Sequence, residues 1–150
     1  MGLKLPLIAA SLFAGVLSAI VASAGIAGAA QVKRVRITMG GRTLAATLND
    51  SAASRDLIAM LPLSLHMTDW LRREKVARLP RELSQQSQGV PTYAAGDIGY
   101  WRPSNNFVIY YLRDGERLPP PGIVPLGKIE SGHDVFNVPG DVDVRVELAD

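Results

Sequence analysis

The sequence predicts a mainly β barrel or β-rich α+β domain, and three observations carry that prediction. Apolar and polar residues alternate with period 2 in several short runs, most cleanly at Val142–Leu148, as in strands buried on one face. Glycine, proline and asparagine clusters punctuate those runs at Gly40-Gly41, Pro103–Asn106 and Asp114–Gly122. A single stretch, about residues 51–60, has helical spacing between a start and a stop signal. Seven or so strands with one helix make the domain mainly β.

In chain order, Lys4 precedes a charge-free segment, Leu5 to Ala30, that closes with Ala27-Gly28-Ala29. Small residues at that spacing fit a signal-peptidase site, so residues 1–29 are expected to be a signal peptide and 30–150 the mature, periplasmic or secreted domain. The alternative is an uncleaved membrane anchor, because about 20 apolar residues can span a bilayer. Val35–Met39 alternates as a strand, Gly40-Gly41 supplies a hairpin turn, and Arg42–Leu48 returns. Asp50 is the expected N-cap of a helix over 51–60 carrying Ala53, Leu57 and Leu61 on one face, with Pro62 as its stop.

Leu63, Leu65 and Met67 alternate with Ser64, His66 and Thr68 as another strand, and 76–79 forms a short one. Residues 84–91 are poor in apolar side chains and predict a surface loop. Strands at about 98–101 and 107–112 follow, joined by a polar turn. Residues 113–122, with Asp114-Gly115's neighbour run of three prolines at 119–121, predict a stiff loop. Val124–Ile129 is a strand, 131–136 a helical turn, and Val142–Leu148 the last strand.

At 150 residues the chain has room for one core, and its 47% hydrophobic and 20% charged composition is globular. A net charge of +2 without a basic stripe argues against nucleic-acid partners. With no cysteine, disulfides, thiol nucleophiles and zinc–thiolate sites are excluded. No nucleophile elbow, phosphate loop or zinc-protease motif is present, and nothing implies a cofactor. His66 falls on the polar side of its strand and His133 in a turn, so the pair does not suggest a metal site.

Two features leave alternatives open. Glu74 lies among Arg72, Arg73 and Lys75, either in a solvated charge cluster or as a carboxylate held by cations at a pocket mouth, with a lowered pKa. Tyr93, Tyr100, Trp101, Phe107, Tyr110 and Tyr111 form a dense aromatic set. Strand period sends Tyr100 and Trp101, and likewise Tyr110 and Tyr111, to opposite faces. One of each pair belongs to the core; the other either packs or lines a groove with Glu74, Tyr93, Asn105 and Asn106.

Gly96–Tyr111 followed by Gly122–Gly132 resembles the second half of the cyclophilins. The Gly40–Leu44 hairpin, Asn49–Ser51 helix start, Leu61-Pro62 stop, Gly96–Ile98 strand and Leu126–Ile129 segment are similar to small bacterial cyclophilin-like domains of uncharacterised function. The resemblance spans nearly all of residues 33–149. It implies a closed or nearly closed eight-stranded barrel with one clear helix and one short helical turn. Cyclophilins surround the prolyl substrate with an arginine, a glutamine, a tryptophan, a histidine and phenylalanines. Here the aromatic strand reads Asn106-Phe107-Val108-Ile109-Tyr110 without the glutamine, Gly122-Ile123 brings no histidine, and the loop before it has no tryptophan. Arg81 is the one candidate for the arginine, on a weak correspondence. The resemblance therefore implies an exported binding module for a peptide segment or small molecule. The alternatives are a weak periplasmic peptidyl-prolyl isomerase, or an assembly role through an exposed strand edge.

Overall fold

Alternation and turn chemistry set most of the observed elements. The computed structural model describes residues 2–4 and 31–150. Apart from Gly2, Leu3 and Lys4, the expected signal segment lies outside the described residues. Strand β1 (Lys33–Met39) turns at Gly40-Gly41, with φ of 55° and 79°, into β2 (Arg42–Leu48). Two consecutive left-handed residues match the twist of a hairpin, and glycine adopts them without strain. Helix α1 (Ala52–Ile58) follows, then β3 (Leu63–Trp70), β4 (Glu74–Arg78) and β5 (Asp97–Trp101). A 3-10 turn at Arg102–Ser104 leads into β6 (Asn106–Tyr110) and β7 (Val124–Ile129). A second 3-10 turn, His133–Phe136, precedes β8 (Val142–Leu148).

The helix start differs from expectation. Ser51, not Asp50, is the N-cap: its backbone is extended and its Oγ accepts from Ser54 N at 3.1 Å. Asp50 instead accepts from Arg55 Nη1 at 2.9 Å. The β3–β4 region also differs, since both strands extend into the segment that carries the charges. Their turn uses Leu71 and Arg72 at φ 52° and 53°. These are left-handed positions without glycine or asparagine, so no turn signal marks them in the sequence.

The strands close into one antiparallel barrel in the order β1-β2-β7-β5-β6-β4-β3-β8. Inward residues such as Ile37, Leu48, Met67, Tyr100, Phe107, Ile109, Leu126 and Val146 fill it, and Ala53 and Leu57 of α1 join the same core. Lys75, paired with the inward Ile109, is also enclosed. It donates to the carbonyls of Val138 and Gly140 at 2.6 and 2.8 Å and faces Asp69 at 3.1 Å.

A second cluster lies on the outer face of β6. Val108 and Tyr110 are covered there by Tyr93, Leu118 and Ile123. The covering segments, around 90–93 and 113–123, are tied together by Val90 pairing with Ile123 and by Leu118 N donating to Pro91 O at 2.9 Å. Gly99 makes this possible, because a Cβ there would strike the Ile123 side chain. Burial on both faces accounts for the nearly continuous apolar run of β6.

Candidate functional site

Three cross-strand rows on the outer barrel wall build the site. Trp70 pairs with Glu74 and Glu74 with Tyr110; Thr68 pairs with Val76, Val76 with Val108 and Val108 with Gly99; Arg78 pairs with Asn106 and Asn106 with Trp101. Directly opposed residues share a face, so these rows stack as a continuous wall. Over it lies a cavity of about 530 Å³, bounded also by Leu71 and Arg73 of the β3–β4 turn, Ser104, and Leu118 and Pro119 of the covering segment. Carbon dominates the middle of the wall, and polar groups sit at its ends.

Arg73 organises the charged end. Its Nε donates to Glu74 Oε2 at 3.3 Å and its Nη1 to Asp114 Oδ2 at 2.8 Å, which ties β4 to the covering segment. Asp114 also accepts from the Tyr93 hydroxyl at 2.7 Å, and the Tyr93 ring stacks on Tyr110 with centroids 4.0 Å apart. The guanidinium of Arg73 lies 5.4 Å from the centre of the Tyr93 ring. The hydrogen bonds from Arg73, Tyr93 and the Glu116 amide hold the Asp114 carboxyl well below the usual carboxylate range.

The expectation for Glu74 is corrected in two respects. Arg73, Glu74 and Lys75 are all buried, so they are not a solvated cluster. Strand period points Lys75 into the barrel and Glu74 outward beneath the covering segment. Burial then raises the Glu74 pKa, and the charge of Arg73 offsets this only in part, so the shift is upward rather than downward.

The expected site residues divide. Glu74, Trp101, Asn106 and Tyr110 line the cavity together. Tyr93 is buried behind Tyr110, does not line the cavity, and touches it through that stack and through Arg73 and Asp114. Tyr100 points into the barrel and is fully buried. Asn105 is also turned inward: at φ 56° it ends the 3-10 turn, its Nδ2 donates to Leu79 O at 3.0 Å, and its Oδ1 accepts from the Tyr100 hydroxyl at 3.1 Å. Arg81 is exposed in the loop after β4 and does not line the cavity.

Thr68, Trp70, Leu71, Arg73, Val76, Ser104, Leu118 and Pro119 complete the lining and were not expected from the sequence. Trp70 carried a usable signal. Continuing the Leu63, Leu65, Met67 alternation puts residue 70 outside the inward phase, and a tryptophan there is 56% exposed.

His66 is the exposed strand histidine that its position predicted. Its Nδ1 is 2.8 Å from Asp143 Oδ1 and its Nε2 3.0 Å from Asp141 Oδ2, hydrogen bonds that raise its pKa. Among the described residues no group of His, Asp and Glu is arranged to hold a metal ion, and no helix is long and apolar enough to cross a membrane.

Comparison with known proteins agrees with the barrel. A model of the cyclophilin-like family matches residues 37–147. No curated protein matches the sequence. Among solved structures, the chain is similar to the solution structure of the hypothetical protein AF2241 from Archaeoglobus fulgidus. The two are 18% identical with a TM-score of 0.60, over 83% of this chain and 100% of that one, a likeness of fold alone.

Proposed function

The chain belongs to the cyclophilin-like family, and from that premise we propose that it is an exported binding module whose outer-wall cavity holds a peptide segment or small ligand without isomerising it. The observation that carries this reading is the convergence of Glu74, Trp101, Asn106 and Tyr110 on one concave, mainly apolar space. Its volume, about 530 Å³, is within the range of ligand sites, which combine apolar walls with a few placed polar groups. Export rests on the charge-free N-terminal segment and its small-residue ending.

Isomerisation has less support. Rotation about a prolyl bond is helped by a cation that draws on the amide and weakens its partial double bond. The arginine in this cavity, Arg73, is already engaged by two carboxylates. A free cation is what the chemistry asks for.

An NMR titration of the mature domain with a set of short proline-containing peptides and apolar fragments tests the binding reading. Amide shifts are expected to cluster at residues 74–76, 99–101 and 106–110; shifts confined to other surfaces would refute it. In a protease-coupled assay the same protein is expected to leave the isomerisation rate of a Xaa-Pro peptide at its uncatalysed value. Intact mass of the exported protein is expected to lack residues 1–29.

A further inference from the structure

Glu74 is the one carboxylate in the cavity lining, and its position is unusual for an acid. It is 7% exposed, yet Arg73 reaches only Oε2 within hydrogen-bond distance, and that contact is long at 3.3 Å. The same guanidinium makes its shorter bond, 2.8 Å, to Asp114. One guanidinium thus serves two carboxylates, and that of Arg113, 5.6 Å from the centre of the Tyr93 ring, donates to the Tyr93 carbonyl and hydrogen-bonds neither of them. Burial outweighs the pull of Arg73 and holds the Glu74 pKa above its ordinary value, so a further cation beside the carboxylate would offset the desolvation that burial imposes.

The neighbours of Glu74 share that preference. Trp70 and Tyr110 are its direct cross-strand partners, and Trp70 lines the cavity while half exposed. An indole face attracts a cation through its quadrupole more strongly than any other side-chain ring. Four residue steps along β6, about 13 Å at roughly 3.3 Å per residue, separate Tyr110 from Asn106 at the other end. Between them the wall is Val76 and Val108. Arg78 shares the far row but does not line the cavity. The cavity is therefore polarised, with an aromatic end that carries its carboxylate, an apolar middle and a neutral polar end.

We propose that this cavity recognises an organic cation, an ammonium or guanidinium head on an apolar stem, with the head between Glu74 and Trp70 and the stem over Val76 and Val108 toward Trp101. The inference rests on the binding reading above and specifies its ligand class. A lysine or arginine side chain of a peptide and a free alkyl amine carry the same chemistry.

The chain has two tryptophans, Trp70 and Trp101, and both line the cavity, so intrinsic fluorescence reports on it directly. The mature protein is titrated with n-butylammonium and 1-butanol. It is also titrated with acetylated, amidated tripeptides that differ only in a central lysine or norleucine. Saturable changes are expected with butylammonium, the lysine peptide or both, and no matching response with the neutral counterparts. A response to the amine alone or to the peptide alone assigns the source, and either supports the inference. Glu74→Gln is expected to weaken the cationic response about tenfold, the loss of one charge-assisted contact. Trp70→Leu, which keeps Trp101 as reporter, is expected to weaken it as well, so the test stands even if Glu74→Gln fails to fold.

Equal saturable binding of charged and neutral probes overturns the cation preference and leaves the binding cavity standing. No binding by any probe or by the peptides and fragments above overturns both.

Discussion

At Arg73 a single guanidinium joins the barrel wall to the segment that covers it, through Glu74 on β4 and Asp114 beyond β6. Removing it leaves a buried carboxylate without a cation, which is more costly than the pair is stabilising. Arg73→Ala is expected to lower stability by about 3 kcal/mol in urea denaturation. Glu74→Gln is expected to cost less than Arg73→Ala, because Arg73 keeps Asp114 as its partner. Asp114 sets the acid limb. Its folded pKa is depressed, so its stabilisation is present above the unfolded value near 3.8 and is lost as pH falls through the folded value. The stability difference between the native protein and Asp114→Asn should therefore persist at pH 4 and shrink only in more acidic solution. Loss of that difference already between pH 6 and pH 4 would contradict the assigned contacts.

Among elements, the β3–β8 pair and the close approaches of two glycines make separable predictions. His66 stands directly opposite Asp143, with Asp141 on its other ring nitrogen. Its folded pKa is raised, so the stabilisation it brings is fully present below the unfolded value near 6.5 and disappears as pH rises through the folded value. NMR titration should find His66 above 6.5, and His66→Gln should remove that pH dependence. Gly127 and Gly99 differ in what they face. A Cβ at Gly127 would fall on the backbone of Thr47 and Leu48, where β2 and β7 pair, and strain of that kind costs about 1–3 kcal/mol. A Cβ at Gly99 meets the side chain of Ile123 rather than backbone, so its relief displaces the covering segment that carries Ile123. Gly127→Ala should therefore lower global stability. Gly99→Ala should mainly loosen the covering segment, read as faster amide exchange at residues 118–123 with a smaller change in the unfolding midpoint.

On the scale of the whole molecule, closure depends on the last strand. β8 pairs with both β1 and β3, so removing residues 142–150 opens the barrel and exposes two edges at once. That truncation is expected to abolish cooperative unfolding. Lys75 ties the inside of the barrel to the approach to β8 through the carbonyls of Val138 and Gly140. Lys75→Met is expected to destabilise the protein by about 3 kcal/mol, since it leaves those acceptors and Asp69 without their cation.

Local rules determined most of the barrel. Period-2 alternation located β1, β3 and β8, the Gly40-Gly41 pair fixed the first hairpin with its return strand β2, and the aromatic run at 96–111 marked the two strands that carry much of the site wall. Those signals act between neighbours in the chain, so they are legible without a structure. The family resemblance likewise led to eight strands and to the departures from the cyclophilin catalytic set. Only tertiary structure decided what became a site. The Leu71-Arg72 turn has no turn residues, and it pairs Trp70 with Glu74 across β3 and β4. The 113–123 segment lies far along the chain from β4, yet it buries Glu74's surroundings and changes its charge balance through Asp114. Tyr100 turned inward because barrel closure selects one face of each strand, a choice that alternation leaves open when both residues of a pair are aromatic; Asn105 turned inward because the 3-10 turn ends on it in a left-handed conformation, which brings its amide to Leu79 and Tyr100. Burial, and with it the direction of a pKa or the presence of a cavity, is a property of what comes to cover a residue, and the chain near Glu74 does not contain it.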